Sequence, residues 1–229
     1  METISSQDNT TGKNYIAFFD LDHTIISINS GKAFVKNAYK YGFMTGLHII
    51  TGLWLSILYK LNIKDPAKII YTMVSWLKGV PEEQVKKLSS DVFRNYLLES
   101  IHPEILNEIS YHKKNGARVV ILSSSIQPLC LKVAEHLGID DVICSDLEVN
   151  YGVYTGNTKG PICFGKEKIV RLKEYCNKNN INPIYSWYYG DDISDLLVLS
   201  SVGNPVCVNP DKKLRKAAYK KGWKILQWY

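Results

Sequence analysis

No two of the five cysteines (Cys130, Cys144, Cys163, Cys176 and Cys207) stand at the close spacing of a zinc site, a redox pair or a disulfide framework. They read as reduced, buried thiols. The histidines form no HExxH-like pair, which removes the common zinc-hydrolase pattern and leaves them without a catalytic assignment. Internal repeats and low-complexity linkers are absent as well. Neither a helix-turn-helix signal nor an aromatic RNA-binding pattern accompanies the net charge of +6, so nucleic acid is not expected as a partner. That charge is densest from Lys212 to Lys224, read as a solvated helix face. The opening METISSQDNTTG is polar and has no apolar h-region, so residues 1–13 are expected to form a disordered leader and the cytoplasm is the expected compartment.

What is present is enough apolar residue, 45% of 229, to build one large domain with a smaller insert. Short apolar runs rich in branched and aromatic residues recur at Tyr15 to Phe19, Arg118 to Leu122, Asp141 to Cys144, Tyr185 to Tyr189 and Pro205 to Val208. Between them, Gln127 to Leu137, Lys166 to Asn177 and Asp211 to Lys221 carry amphipathic helical spacing, with Gly138 placed to end the first. Strands alternating with helices predict an α/β fold, a Rossmann-like parallel sheet covered by helices. Glu148 to Thr155 reads as a hairpin turning at Asn150-Tyr151-Gly152.

Strand signals vanish between residues 30 and 101, so this stretch is expected to be a helical cap inserted after the first strand. The core is then 14–29 and 102–229. Pro66 and Pro81 suit the first turns of two cap helices. Phe43 to Leu61 is the most apolar part of the chain and approaches the length of a membrane span. His48, Lys60, two glycines and its place between elements that must meet on one side of a membrane argue instead for buried cap helices. Peripheral lipid contact or a greasy substrate pocket stays open.

Acidic residues cluster at two strand ends. FFDLDHTI puts Asp20 at the end of the first strand and Asp22 in the loop beyond it, where open α/β sheets bind ligands. YGDDISD supplies Asp191 and Asp195 after another strand, one helical turn apart if a helix begins there. Carboxylates gathered this closely repel unless a cation or a proton compensates, and magnesium suits such oxygen ligands. Ser123, after the second run, and Lys168, on a helix, add a hydroxyl and an ammonium. A transferring phosphoryl group needs this combination of neutralising and directing groups.

At these residues the chain resembles the haloacid dehalogenase superfamily, with DxDxT read as Asp20 to Thr24, then Ser123, Lys168 and Gly190 to Asp195 as GDxxxD. It is similar in particular to the subgroup containing phosphoserine phosphatases, through LSSS, YTGNTKGPICFGKEK and VNPDKKLRKAAYKKGW. The resemblance implies a magnesium-dependent phosphomonoester hydrolase. Asp20 would be the nucleophile, forming an aspartyl-phosphate, and Asp22 the acid and then the base. Ser123 and Lys168 would hold the phosphoryl group. Magnesium would sit on Asp20, the Asp22 carbonyl and Asp191, with Asp195 orienting these ligands. Thr24 would support Asp22 and counts, with Ser124, among the substrate-binding groups. Asp192 stays outside the metal set.

A glutamate expected in phosphoserine phosphatases shortly after the first motif is missing, since Ile28-Asn29-Ser30 stands there. Arg94, the only arginine of the insert, is the candidate for a substrate anion. The partner is expected to be a small-molecule phosphate monoester. A lipid phosphate as substrate, or a phosphotransferase working through the same intermediate, is the alternative.

Overall fold

Alternation along one short strand decides where the sheet lies. The computed structural model describes residues 14–46, 48 and 74–229. In β1 (Ile16–Phe19) every side chain is buried. Ala17 and Phe19 join one apolar cluster, Ile16 and Phe18 the other. A strand dry on both faces belongs in the middle of a parallel sheet covered on both sides. The sheet is built that way. Its other strands are β2 (Arg118–Ile126), β3 (Asp141–Ser145), β6 (Trp187–Gly190), β7 (Asn204–Val208) and β8 (Lys224–Leu226), with β4 (Leu147–Asn150) and β5 (Val153–Thr158) forming a separate antiparallel hairpin. The order is β3-β2-β1-β6-β7-β8, and each neighbouring pair is parallel. Phe19 pairs with Ile121 on one side and Tyr189 on the other, so the residues that follow on three strands share one end of the sheet. The direction of strand addition reverses at β1, and such a reversal opens a crevice at the strands' C-terminal ends.

Among the described residues the α-helices are α1 (Ser30–Lys40), α2 (Glu82–Val92), α3 (Glu104–Lys114), α4 (Gln127–Leu137), α5 (Lys166–Lys178), α6 (Leu196–Leu199) and α7 (Lys212–Lys221). Gly138 closes α4 in the left-handed conformation at φ 62°, which only glycine adopts cheaply. From the insert, Phe34 and Ala38 of α1 and Val85, Leu88 and Val92 of α2 join the cluster that holds Tyr15, Phe19 and Leu21. Each of the larger of these side chains contributes about 1.5–3 kcal/mol when fully buried, so the insert is seated on the sheet by its apolar stripe.

Several local expectations differ from the structure. The run from Tyr185 starts as a strand only at Trp187, because the Asn182 side chain accepts from the Ile184 backbone and winds Pro183–Tyr185 into a 3-10 turn. β2 continues past Leu122 through the serines, with a register shift against β3 between Leu122 and Ile126. Pro81 sits one place before the first turn of α2 and bridges to Val153. The hairpin is therefore not a free arm of the core. Gly79 N–H donates to the Tyr154 carbonyl at 2.8 Å, Tyr154 N–H to Val80 at 2.9 Å and Glu82 N–H to Gly152 at 2.9 Å. Gly156, at φ +83°, lies so close that an added Cβ would stand 2.9 Å from the Ser75 carbonyl. Most of Phe43 to Leu61, together with Trp54, Pro66 and residues 1–13, lies outside the described residues.

Under β1 a buried histidine organises the aromatic side of the core. Tyr189 donates its hydroxyl to Glu108 at 2.6 Å, so the His112 Nε2–H must donate to Tyr189 at 2.8 Å, leaving Nδ1 to accept from Tyr15 at 3.1 Å. Burial, with the Lys224 charge adding, pushes His112 from the ordinary 6.5 down to about 3. The folded state thus excludes a proton that the unfolded chain accepts. Stability from this group is complete above pH 6.5 and is lost as pH falls toward 3, at about 1.4 kcal/mol per unit. Urea midpoints measured from pH 7 to pH 4 should fall more steeply for the native chain than for His112→Gln. Parallel slopes would exclude His112 as the source.

Candidate active site

Asp20 leaves β1 with its backbone N–H donating to the Tyr189 carbonyl at 2.9 Å, which locks the strand end to β6. Its Oδ1 accepts from the Leu21 backbone at 2.8 Å, and its Oδ2 lies 3.2 Å from Lys168 Nζ. Lys168 enters from the first turn of α5 and is 3% exposed. The same ammonium reaches Asp195 Oδ1 at 2.8 Å and the Tyr188 hydroxyl at 3.0 Å. Burial by itself would discharge Lys168, but Asp195 and Asp20 outweigh it and hold the ammonium well above its ordinary value.

Asp20, Asp191 and Asp195 each offer one carboxylate oxygen, and all three oxygens lie within 4.8 Å of one another. Burial first, then the charge of Asp20, pushes Asp191 up to about 8, and burial pushes Asp195 up to about 6. One ammonium cannot balance three carboxylates. Asp195 Oδ2 is also buried without a hydrogen-bond partner, so a donor set of hard oxygens with one orphaned atom fits a divalent cation. Gly190 makes the approach possible, since a Cβ there would fall 2.6 Å from Asp195 Oδ2. Asp192 turns away: its side chain accepts from the Ser194 backbone at 2.9 Å and caps the turn Ile193–Asp195.

Asp22 is held separately. Its Oδ1 accepts from the Ser30 backbone and its Oδ2 from the Asn29 side chain, each at 2.9 Å. Burial raises its carboxyl above the ordinary range despite the bonds from Ser30. Thr24 does not support Asp22 as expected. Its hydroxyl donates to Asp191 Oδ1 at 3.4 Å, because the turn after β1 aims the buried side chain at the β6 loop.

Ser123 is buried in β2 where the register against β3 shifts, and its hydroxyl oxygen accepts from the Ser125 backbone at 3.2 Å. The Ser124 carbonyl accepts from the Ser145 hydroxyl at 3.0 Å, and Ser125 and Ser30 share a 2.8 Å hydroxyl contact. Arg94 is not brought to this place. It lies in the π-helical turn Phe93–Leu97, exposed, with its guanidinium 2.5 Å from Asp91. The groove it borders is lined by Ser90, Phe93, Lys132, Glu135 and His136, none of them a site residue.

Sequence reasoning missed Tyr188, Asn29 and Ser30. Tyr188 could have been found by alternation, since in β6 it must face away from Tyr189, toward the helix that carries Lys168. Asn29 and Ser30 drew notice only for not being a glutamate.

Two carboxyls held apart, a buried ammonium and an acidic cluster that fits a cation meet at the C-terminal ends of a parallel sheet, an arrangement suited to handling a phosphoryl group. The model of haloacid dehalogenase-like hydrolases matches residues 17–200, and the chain belongs to that family. Its named relatives include phosphatases, and a solved phosphoserine phosphatase shares its fold. A probable phosphatase of Mycobacterium tuberculosis is 27% identical over 215 residues, covering 93% of this chain and 75% of that one. Histidinol-phosphatase of Neisseria meningitidis is 27% identical over 218 residues, covering 93% and 98%. A phosphoserine phosphatase solved as an analogue of its phospho-aspartyl intermediate shares the fold, with a TM-score of 0.68 at 19% identity and coverage of 93% and 92%.

Proposed function

We propose that this chain is a cytoplasmic, magnesium-dependent phosphomonoester hydrolase that acts on a small-molecule phosphate through an aspartyl-phosphate on Asp20. The observation that carries the reading is the division of labour between two nearby carboxyls. Asp20 is paired with Lys168 at 3.2 Å within the acidic cluster, while Asp22 is kept apart by Asn29 and Ser30, its carboxyl raised by burial.

An Asp20 oxygen forms the new bond to phosphorus as the bond to the ester oxygen breaks, and Asp22 gives its proton to that leaving oxygen. Water then attacks the phosphorus of the acyl phosphate. Asp22 takes the water's proton, the bond to Asp20 breaks, and inorganic phosphate leaves. Ser123 and Lys168 hold phosphoryl oxygens during both displacements. Asp20, Asp191 and the Asp22 backbone carbonyl would hold magnesium, with Asp195 orienting them, and the ion would supply positive charge against the phosphoryl oxygens. The insert over residues 30–101 would serve as the cap that excludes bulk water. Among the described residues no helix is long and apolar enough to cross a membrane.

The names of the relatives put histidinol phosphate and phosphoserine first in a panel of monoesters, followed by a lysophosphatidate as the lipid arm. Phosphate release should require added magnesium and stop in excess chelator, with one small polar ester favoured over the lipid. Release that is indifferent to chelator would remove the metal from the reading. Preference for the lipid ester would replace the substrate class, and transfer to added glycerol in place of water would make the chain a phosphotransferase.

A further inference from the structure

We propose that Tyr188 is a positioning residue for Lys168, fixing the ammonium so that one of its N–H groups faces Asp20; this rests on the phosphatase reading above.

A lysine ammonium has three donors and no acceptor. Around Lys168 Nζ stand three acceptors, Asp195 Oδ1 at 2.8 Å, the Tyr188 hydroxyl at 3.0 Å and Asp20 Oδ2 at 3.2 Å. The donors and acceptors match one for one. The Tyr188 hydroxyl has a single hydrogen, which goes to Asp195 Oδ1 at 3.0 Å. Its oxygen is therefore left to accept from Lys168, and the direction of every bond in the Lys168–Tyr188–Asp195 ring is set. Two of the three N–H groups are anchored by the shorter contacts. The third is left for Asp20, whose Oδ2 stands at ion-pair distance, 3.2 Å, and it is the one a phosphoryl oxygen could share.

Packing alone does not call for a hydroxyl here. The Tyr188 ring shares its apolar cluster with Ile16, Phe18, Leu172 and Cys207, and the side chain is wholly buried. A phenol in such surroundings costs free energy unless its O–H is bonded, and phenylalanine would fill the same space. Gly190 leaves room for the ring, since a Cβ there would come within 2.9 Å of Tyr188 Cε1. A lysine carries four rotatable carbons, and unaided it pays rotamer entropy to stay in one orientation. Without the hydroxyl one N–H is unpaired in a place closed to water, and the ammonium turns to share its remaining donors between the two carboxylates. Misplacement of this kind is felt in the chemical step rather than in binding.

The test uses the full chain with saturating magnesium and p-nitrophenyl phosphate as the probe ester. Tyr188→Phe is expected to lower kcat about 10- to 100-fold with KM changed by less than about twofold. In a Lys168→Met background the same substitution is expected to cost less than about twofold, because the group it positions is gone. Equal fold losses in both backgrounds would overturn the proposal and leave Tyr188 a packing residue. A second readout needs no turnover. In nitrogen-edited NMR of the metal-free protein, slowly exchanging Lys168 ammonium protons should be visible in the native chain and lost or displaced in Tyr188→Phe, with the amide spectrum otherwise retained. An ammonium signal unchanged by the substitution would overturn the proposal. Absence of turnover in the native chain would instead strike the functional reading, while the spectrum still decides the role of Tyr188.

Discussion

Asp20→Asn is expected to lower kcat by at least about a thousandfold while leaving the protein folded. The amide is nearly the same size and keeps an oxygen to accept from the Leu21 backbone, which lies 2.8 Å from Asp20 Oδ1. It is a far weaker nucleophile than a carboxylate, so the covalent route closes. Stability should change little, because two effects oppose. Lys168 loses its 3.2 Å partner but keeps Asp195 at 2.8 Å, and Asp191 is relieved of the charge that helps to push it up to about 8. The checks are initial rates, the thermal midpoint, and trapping of the acyl phosphate with hydroxylamine. A folded Asn variant retaining a tenth of native activity would rule out Asp20 as the nucleophile.

Lys168→Met should cost both activity and stability. Methionine fills the buried channel of the lysine stem but supplies no charge, leaving Asp20, Asp191 and Asp195 facing one another. Removing one partner of a buried ion pair typically costs about 3–5 kcal/mol, because the charge left behind is uncompensated. Proton uptake by the cluster will recover part of that loss. The expected result is a metal-free thermal midpoint several degrees below native, a kcat reduced about 100-fold or more, and a larger rise in midpoint on adding magnesium than the native chain shows. A midpoint and magnesium response both equal to native would mean that the ammonium does not offset the cluster.

Much of this arrangement was legible because it depends on local patterns. Five strands were visible as apolar runs, the central β1 and β6 most clearly, since a parallel strand dry on both faces has no polar alternation to hide it. The positions of Asp20, Asp22, Ser123, Lys168, Asp191 and Asp195 could be read because each stands at a strand end or a helix start, where a short motif carries its context. Partner choice was much less legible. Thr24 finds Asp191 rather than Asp22, and Arg94 folds back on Asp91, because long-range geometry and the nearest opposite charge decide such contacts. β8 escaped notice because its three residues, Lys224–Leu226, lie in a lysine-rich stretch and are too few to show a period. The bonds between the hairpin and the insert are backbone to backbone, so no side chain in the sequence announces them.

Those backbone bonds also decide what can move. The insert meets the core where the Ser27 N–H donates to Ser100 at 2.7 Å and the His102 N–H to Ile25 at 3.0 Å, a two-stranded neck. Were that neck the sole connection, the insert could swing about it like a door. The ladder from Gly79 to Glu82 against Gly152 to Tyr154 adds a second attachment on a different stretch of chain. A swing that preserves the ladder must carry the hairpin along and bend the chain near Asp146 and Lys159, while a swing that leaves the hairpin behind must break three hydrogen bonds at once. If the insert opens to admit substrate, as the proposed function requires of a cap, the hairpin, far from Asp20 in sequence, would act as a latch on it.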